Sequence, residues 1–136
     1  MPLLKSILKY NSAWFVWSLF IVYVLLIRQS SLPKFEFDWV IAVDKLAHGV
    51  LFFVLILLLL LAFLFQIPQW FGNRKGLYVL SVFSVLFGLF TELLQLWVTT
   101  DRNAEATDVL ADISGVVAGG VIFEWLVKKK LIISKK

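Results

Sequence analysis

Asp44-Lys45-Leu46-Ala47-His48 leads, through Gly49 and Val50, into residues 51–65, a run without a single polar side chain. About twenty apolar residues in helical form span the roughly 30 Å hydrocarbon core of a bilayer. This stretch therefore reads as a membrane helix with an acid, a base and the only histidine of the chain at its mouth. Asp44 and His48 are four apart, so on a helix they lie on one face, one turn from each other. Polar groups at a membrane helix mouth are costly and tend to have a reason.

The composition agrees. The chain has 136 residues, 61% of them hydrophobic, with thirteen Phe and six Trp. One domain of this size has too little interior to hide so much apolar surface from water. Lipid must solvate much of it. There is no cysteine, so disulfide and thiolate chemistry are excluded. The net charge of +4 sets orientation in such a chain rather than marking a nucleic-acid partner.

Four helices are expected, at about 10–27, 44–65, 77–98 and 108–127, in one membrane domain covering 1–136. No small-x-small cleavage site follows the first apolar run, so its start is expected to be retained. Residues 28–43 read as a connector in which Phe35, Phe37 and Trp39 alternate with Glu36 and Asp38, an interfacial aromatic stretch. Pro68 ends the second helix. Short loops between four apolar helices predict an all-α integral membrane protein, a four-helix antiparallel transmembrane bundle.

Basic residues orient it. With an even number of crossings, Lys5, Lys9, Arg74, Lys75, Lys128, Lys129, Lys130, Lys135 and Lys136 share one side, and Arg28, Lys34, Lys45 and Arg102 the other. The positive-inside rule then makes both termini cytoplasmic. Of the nine acids only Glu124 lies toward the inside.

This topology gathers polar residues at the outer end. Asp44, Lys45 and His48 open the second helix. Glu92 and Gln95 share a face near the end of the third. Arg102 is in the next loop, and Asp108 and Asp112 share a face at the start of the fourth. Glu92 sits roughly 6–9 Å inside its helix end at 1.5 Å per residue and should face the bundle interior and meet a partner, with His48, Lys45 and Arg102 as the available cations. Mutual neutralisation alone would explain one buried acid, but eight polar residues from four segments exceed that need. The expected ligand-binding set is Asp44, Lys45, His48, Glu92, Gln95, Arg102, Asp108 and Asp112. His48, Glu92, Asp108 and Asp112, with Asp44 beside them, are also the candidate ligands for a divalent cation, although no dedicated metal spacing is present. His48 as acid or base with Glu92 orienting it is the candidate catalytic pair. Ala111, Gly115 and Gly119 form a small-residue stripe on the fourth helix that should let a neighbour approach closely.

The ordered set Asp44-Lys45-Leu46-Ala47-His48, Glu92-Leu93-Leu94-Gln95, Arg102 and Asp108-Val109-Leu110-Ala111-Asp112-Ile113-Ser114-Gly115 resembles the VanZ-like family of small bacterial membrane proteins over residues 40–123. Asp112 departs from the Asn usual in the family and adds a negative charge. The resemblance implies an integral protein of the bacterial cytoplasmic (inner) membrane. The family's namesake is linked to resistance against teicoplanin, a glycopeptide that acts on wall precursors outside the membrane.

The expected role is therefore a multi-pass envelope protein whose outward polar pocket binds a lipid head-group phosphate or a lipid-linked wall precursor. No nucleic acid is implied, and a homo-oligomer is compatible. The outer side holds four cations against eight acids, which a simple phosphate site should not; a divalent cation bridging acids to phosphate would resolve this. Three alternatives stay open: an enzyme acting on a lipid-linked substrate, an ion-coupled transporter, and a polar cluster that only locks the bundle. The apolar inner half of the second helix disfavours transport.

Overall fold

The computed structural model describes residues 2–26, 39–98 and 105–129, with side chains in 10–26, 43–98 and 105–129. It contains α1 (Pro2–Leu26), α2 (Trp39–Gln66), α3 (Gln69–Gly72), α4 (Lys75–Val98) and α5 (Ala106–Lys128). Among the described residues there is no strand. Three helical stretches, Val43–Gln66, Lys75–Val98 and Ala106–Lys128, are long and apolar enough to cross a membrane, and Tyr10–Leu26 is a shorter apolar one. In lipid a helix satisfies its own backbone polar groups, and long runs of Leu, Phe and Val leave it no competing polar interactions.

All four expected helices are present, and each starts before its expected position. The correction is largest at α1, which begins at Pro2 rather than 10, and at α2, which begins at Trp39 rather than 44. Residues 39–43 are thus the first turn of α2 and not part of a connector. The expected aromatic stretch at Phe35 and Phe37 lies outside the described residues. After α2, Pro68 lacks an amide hydrogen and starts the single turn of α3. Arg74 then takes a left-handed φ of 60°, which turns the chain back into α4, and its carbonyl accepts the Tyr78 amide at 3.2 Å.

Contacts give the relative directions. Asn11 and Gln66 exchange amide hydrogen bonds at 3.2 and 3.1 Å, and Trp17 Nε1 donates to the Leu51 carbonyl at 3.0 Å. Successive contacts thus run α1 and α2 antiparallel. Gln95 Nε2 donates to the Leu25 carbonyl at 2.7 Å, joining the ends of α1 and α4. Lys45 meets Asp108 and His48 meets Asp112, so α2 and α5 are parallel neighbours and make the most extensive helix pair.

Helix α2 is the hub. In its most apolar window 50% of residues are buried, against 28% in α4 and 33% in α5. Phe52, Leu55, Ile56, Leu59 and Leu60 form the core with Ile21, Leu25, Leu80, Val116 and Phe123. The outward faces carry large apolar side chains such as Phe15, Tyr78, Phe83, Leu86, Leu110 and Val121. Water does not tolerate so continuous an apolar surface, whereas a bilayer does. At the end remote from Asp44, Glu124 takes Arg74 at 3.0 Å and Lys128 at 3.6 Å.

Candidate functional site

A backbone contact sets the geometry of the polar end. A Cβ at Gly115 would fall on the Gly49 carbonyl oxygen and lie 3.0 Å from both Gly49 C and Phe53 N. A Cβ at Gly119 would strike Ile56 Cγ2 and approach the Phe53 carbonyl oxygen at 3.0 Å. Glycines on α5 therefore let it lie against the backbone of α2, as small residues do between membrane helices. The expected stripe of Gly115 and Gly119 does this work, and Gly49 on the facing helix joins it.

That approach brings α5 side chains onto α2. His48 Nδ1 and Asp112 Oδ1 are 3.0 Å apart and both side chains are almost wholly buried. An ionised Asp112 can only accept, which puts the proton on Nδ1. Gly88 on α4 backs the pair: a Cβ there would come within 2.8 Å of Asp112 Oδ2. Two buried atoms of the pair, His48 Nε2 and Asp112 Oδ2, have no hydrogen-bond partner among the described residues. In a low-dielectric interior such atoms are costly.

One turn toward the helix mouth, Lys45 Nζ donates to Glu105 Oε2 at 2.9 Å and to Asp108 Oδ1 at 3.2 Å. The Glu105 backbone amide donates to Glu92 Oε1 at 2.9 Å. Buried Gln95 ties α4 to α1 through the Leu25 carbonyl. Asp44, His48 and Asp108 each offer one ligand atom within 4.8 Å of the others. Thr91 and Ser84, also buried, satisfy their hydroxyls on Gly88 and Leu80 carbonyls of their own helix.

Seven of the eight sequence-predicted residues thus lie at one end of the bundle, and Arg102 lies outside the described residues. Among the described residues two pairings differ from expectation, and the expected contact of Glu92 with Arg102 lies outside them. Glu92 bonds a backbone amide, and the histidine's hydrogen-bonded carboxylate is Asp112, not Glu92. The cluster is also packed: His48, Glu92, Gln95, Asp108 and Asp112 are all buried. Beside it, Lys45, Gly49, Val50, Phe53, Ser114 and Gly115 line an open groove of about 290 Å³ between α2 and α5. Sequence reasoning missed Glu105, Gly49 and Gly88. The last two carried only the weak signal of glycine inside a helical pattern.

A helical bundle with lipid-compatible outer faces and an ionisable cluster buried between three helix ends defines a polytopic membrane protein with a polar site. The VanZ/LLP1 family model matches residues 3–127, and the chain belongs to this family. The match takes in α1, beyond the 40–123 stretch that carries the motifs. Comparison with curated proteins and with solved structures finds no match.

Proposed function

We propose that the protein resides in the bacterial cytoplasmic membrane with both termini cytoplasmic and the polar cluster at the outer side. There it holds the anionic head group of an envelope lipid or of a lipid-linked wall precursor, a role of the glycopeptide-resistance kind. The observation that carries this is the burial of His48, Glu92, Asp108 and Asp112, from three helices, at one end of an otherwise lipid-facing bundle. Ionisable groups within a membrane are costly and characteristically mark ligand or ion paths. The groove supports the same reading. Lys45 lines it together with the apolar Val50 and Phe53, which suits a lipid with its head group near Lys45.

The test uses the purified protein in nanodiscs holding phosphatidylglycerol and phosphatidylcholine. Native mass spectrometry should show the anionic lipid retained in preference, and Lys45→Gln should reduce that preference several-fold. Equal retention of both lipids would sink the proposal. Orientation has its own assay, since the chain lacks cysteine: Thr100→Cys should react with an impermeant maleimide only from outside the cell.

A second reading draws on His48 Nε2, which has no hydrogen-bond partner among the described residues. It is a general base acting on a lipid-linked substrate, now with Asp112 rather than Glu92 as the group that orients the ring.

A further inference from the structure

We propose that Asp44, His48 and Asp108 form a binding site for a divalent cation of the Mn²⁺ to Zn²⁺ class, with Asp112 positioning the histidine. Each residue offers a ligand atom, and all three lie within 4.8 Å of one another. Metal–ligand bonds of about 2.1 Å place neighbouring ligands roughly 3.4 Å apart in tetrahedral geometry, so closure needs side-chain shifts of about an ångström.

Three further observations point to a ligand here. First, His48 is completely buried and, among the described residues, its Nε2 has no hydrogen-bond partner, while Nδ1 is taken by Asp112. A histidine that binds a metal through one nitrogen characteristically gives the other N–H to a carboxylate, which fixes the ring and raises its basicity. His48 and Asp112 already stand in that relation. Second, two carboxylates and one divalent ion make a neutral set, the least costly form in a low-dielectric setting. Lys45 is shared between Asp108 and Glu105, which lies outside the ligand set, and a carboxylate has a second oxygen with which Asp108 can serve a metal as well. Third, α2 and α5 hold the ligands on adjoining rigid helices through the glycine contact. An imidazole among the ligands favours transition-series ions over Mg²⁺ or Ca²⁺.

Three protein ligands leave a coordination position open. Resting on the head-group proposal above, we infer that this position takes a phosphate oxygen of the bound lipid. That removes the conflict between an anionic ligand and an acid-rich helix end.

Chelator-stripped protein in detergent should bind Mn²⁺ with one-to-one stoichiometry, seen as loss of the free-ion paramagnetic resonance signal, and Zn²⁺ should displace it. Asp44→Asn and Asp108→Asn should each weaken binding at least tenfold. Asp44 is only half-buried, so its variant is the one expected to keep the fold, checked by circular dichroism and gel filtration. Asp112→Asn should weaken Mn²⁺ about 10- to 100-fold without changing the stoichiometry, as loss of an outer-shell partner does. Absence of saturable binding by folded wild type up to about 1 mM, where association is worth only about 4 kcal/mol, would overturn the proposal. So would binding indifferent to Asp44→Asn. A preference for phosphatidylglycerol that survives chelation, in protein that binds no Mn²⁺, refutes the metal site and leaves the head-group proposal standing. Mn²⁺ binding without any lipid preference supports the site and refutes the head-group proposal.

Discussion

Replacing Gly115 by alanine should unseat α5 from α2. The added methyl would lie on the Gly49 carbonyl oxygen, with Gly49 C and Phe53 N each 3.0 Å away. All three are backbone atoms of the hub helix, and none can rotate aside, so the helices must part. Overpacking of this kind costs about 1–3 kcal/mol, and a contact against rigid backbone belongs at the upper end. Alanine recovers about 1 kcal/mol through its better helix propensity. The net loss is about 2 kcal/mol, a roughly thirtyfold fall in the folded-to-unfolded ratio. Gly120 is the internal control. A Cβ there meets only the Leu77 Cδ1 methyl at 3.3 Å, the flexible tip of a side chain, so Gly120→Ala should be neutral or stabilising by up to about 1 kcal/mol. Reversible unfolding by denaturing detergent, followed by tryptophan fluorescence, reads both. If Gly115→Ala is as stable as Gly120→Ala, the backbone contact between α2 and α5 does not exist as described.

Other perturbations test the remaining parts. Saturating Mn²⁺ at about a hundred times its dissociation constant should stabilise the protein by about 2.7 kcal/mol, and calorimetry in detergent should show this shift lost in Asp44→Asn. Acid should weaken the metal: a proton and a cation compete for the His48 lone pair, so affinity rises with pH and is lost as pH falls, measurable by titration at stepped pH. Glu92→Gln keeps an oxygen for the Glu105 amide and should leave melting nearly unchanged, whereas Glu92→Leu removes that part-buried hydrogen bond and should cost about 0.5–1.5 kcal/mol. Gln66→Leu removes the exchange with Asn11 and should lower stability by about 1 kcal/mol, with the loss confined to docking of α1 as hydrogen exchange would show.

Much of the fold was legible because lipid leaves few choices. Uninterrupted apolar residues at 51–65 had to be a helix, and Pro68 had to end it. The starts of α1 and α2 were less so. Lys5 and Lys9 look like flanking charges, and Phe37, Asp38 and Trp39 alternate like an interfacial segment, yet helix extends through Lys5, Lys9 and Trp39. For the site, the spacings at Asp44/His48, Glu92/Gln95 and Asp108/Asp112 put the right residues on the right faces. Partner choice was hidden. It depends on how far α5 slides along α2; the stripe of Gly115 and Gly119 announced a close approach but not which helix would make it, or that Gly49 would be the facing position. The Glu105 amide that meets Glu92 is a backbone donor, and no side-chain pattern could have announced it.

Chain order gives the His48–Asp112 pair a bearing on biogenesis. Synthesis proceeds from the N-terminus, so α2 and α4 enter the bilayer before α5 has been made. Until it arrives His48 lacks its carboxylate and Glu92 lacks its amide donor. The three-helix intermediate therefore holds polar groups that lipid cannot satisfy, and arrival of the last helix relieves both at once.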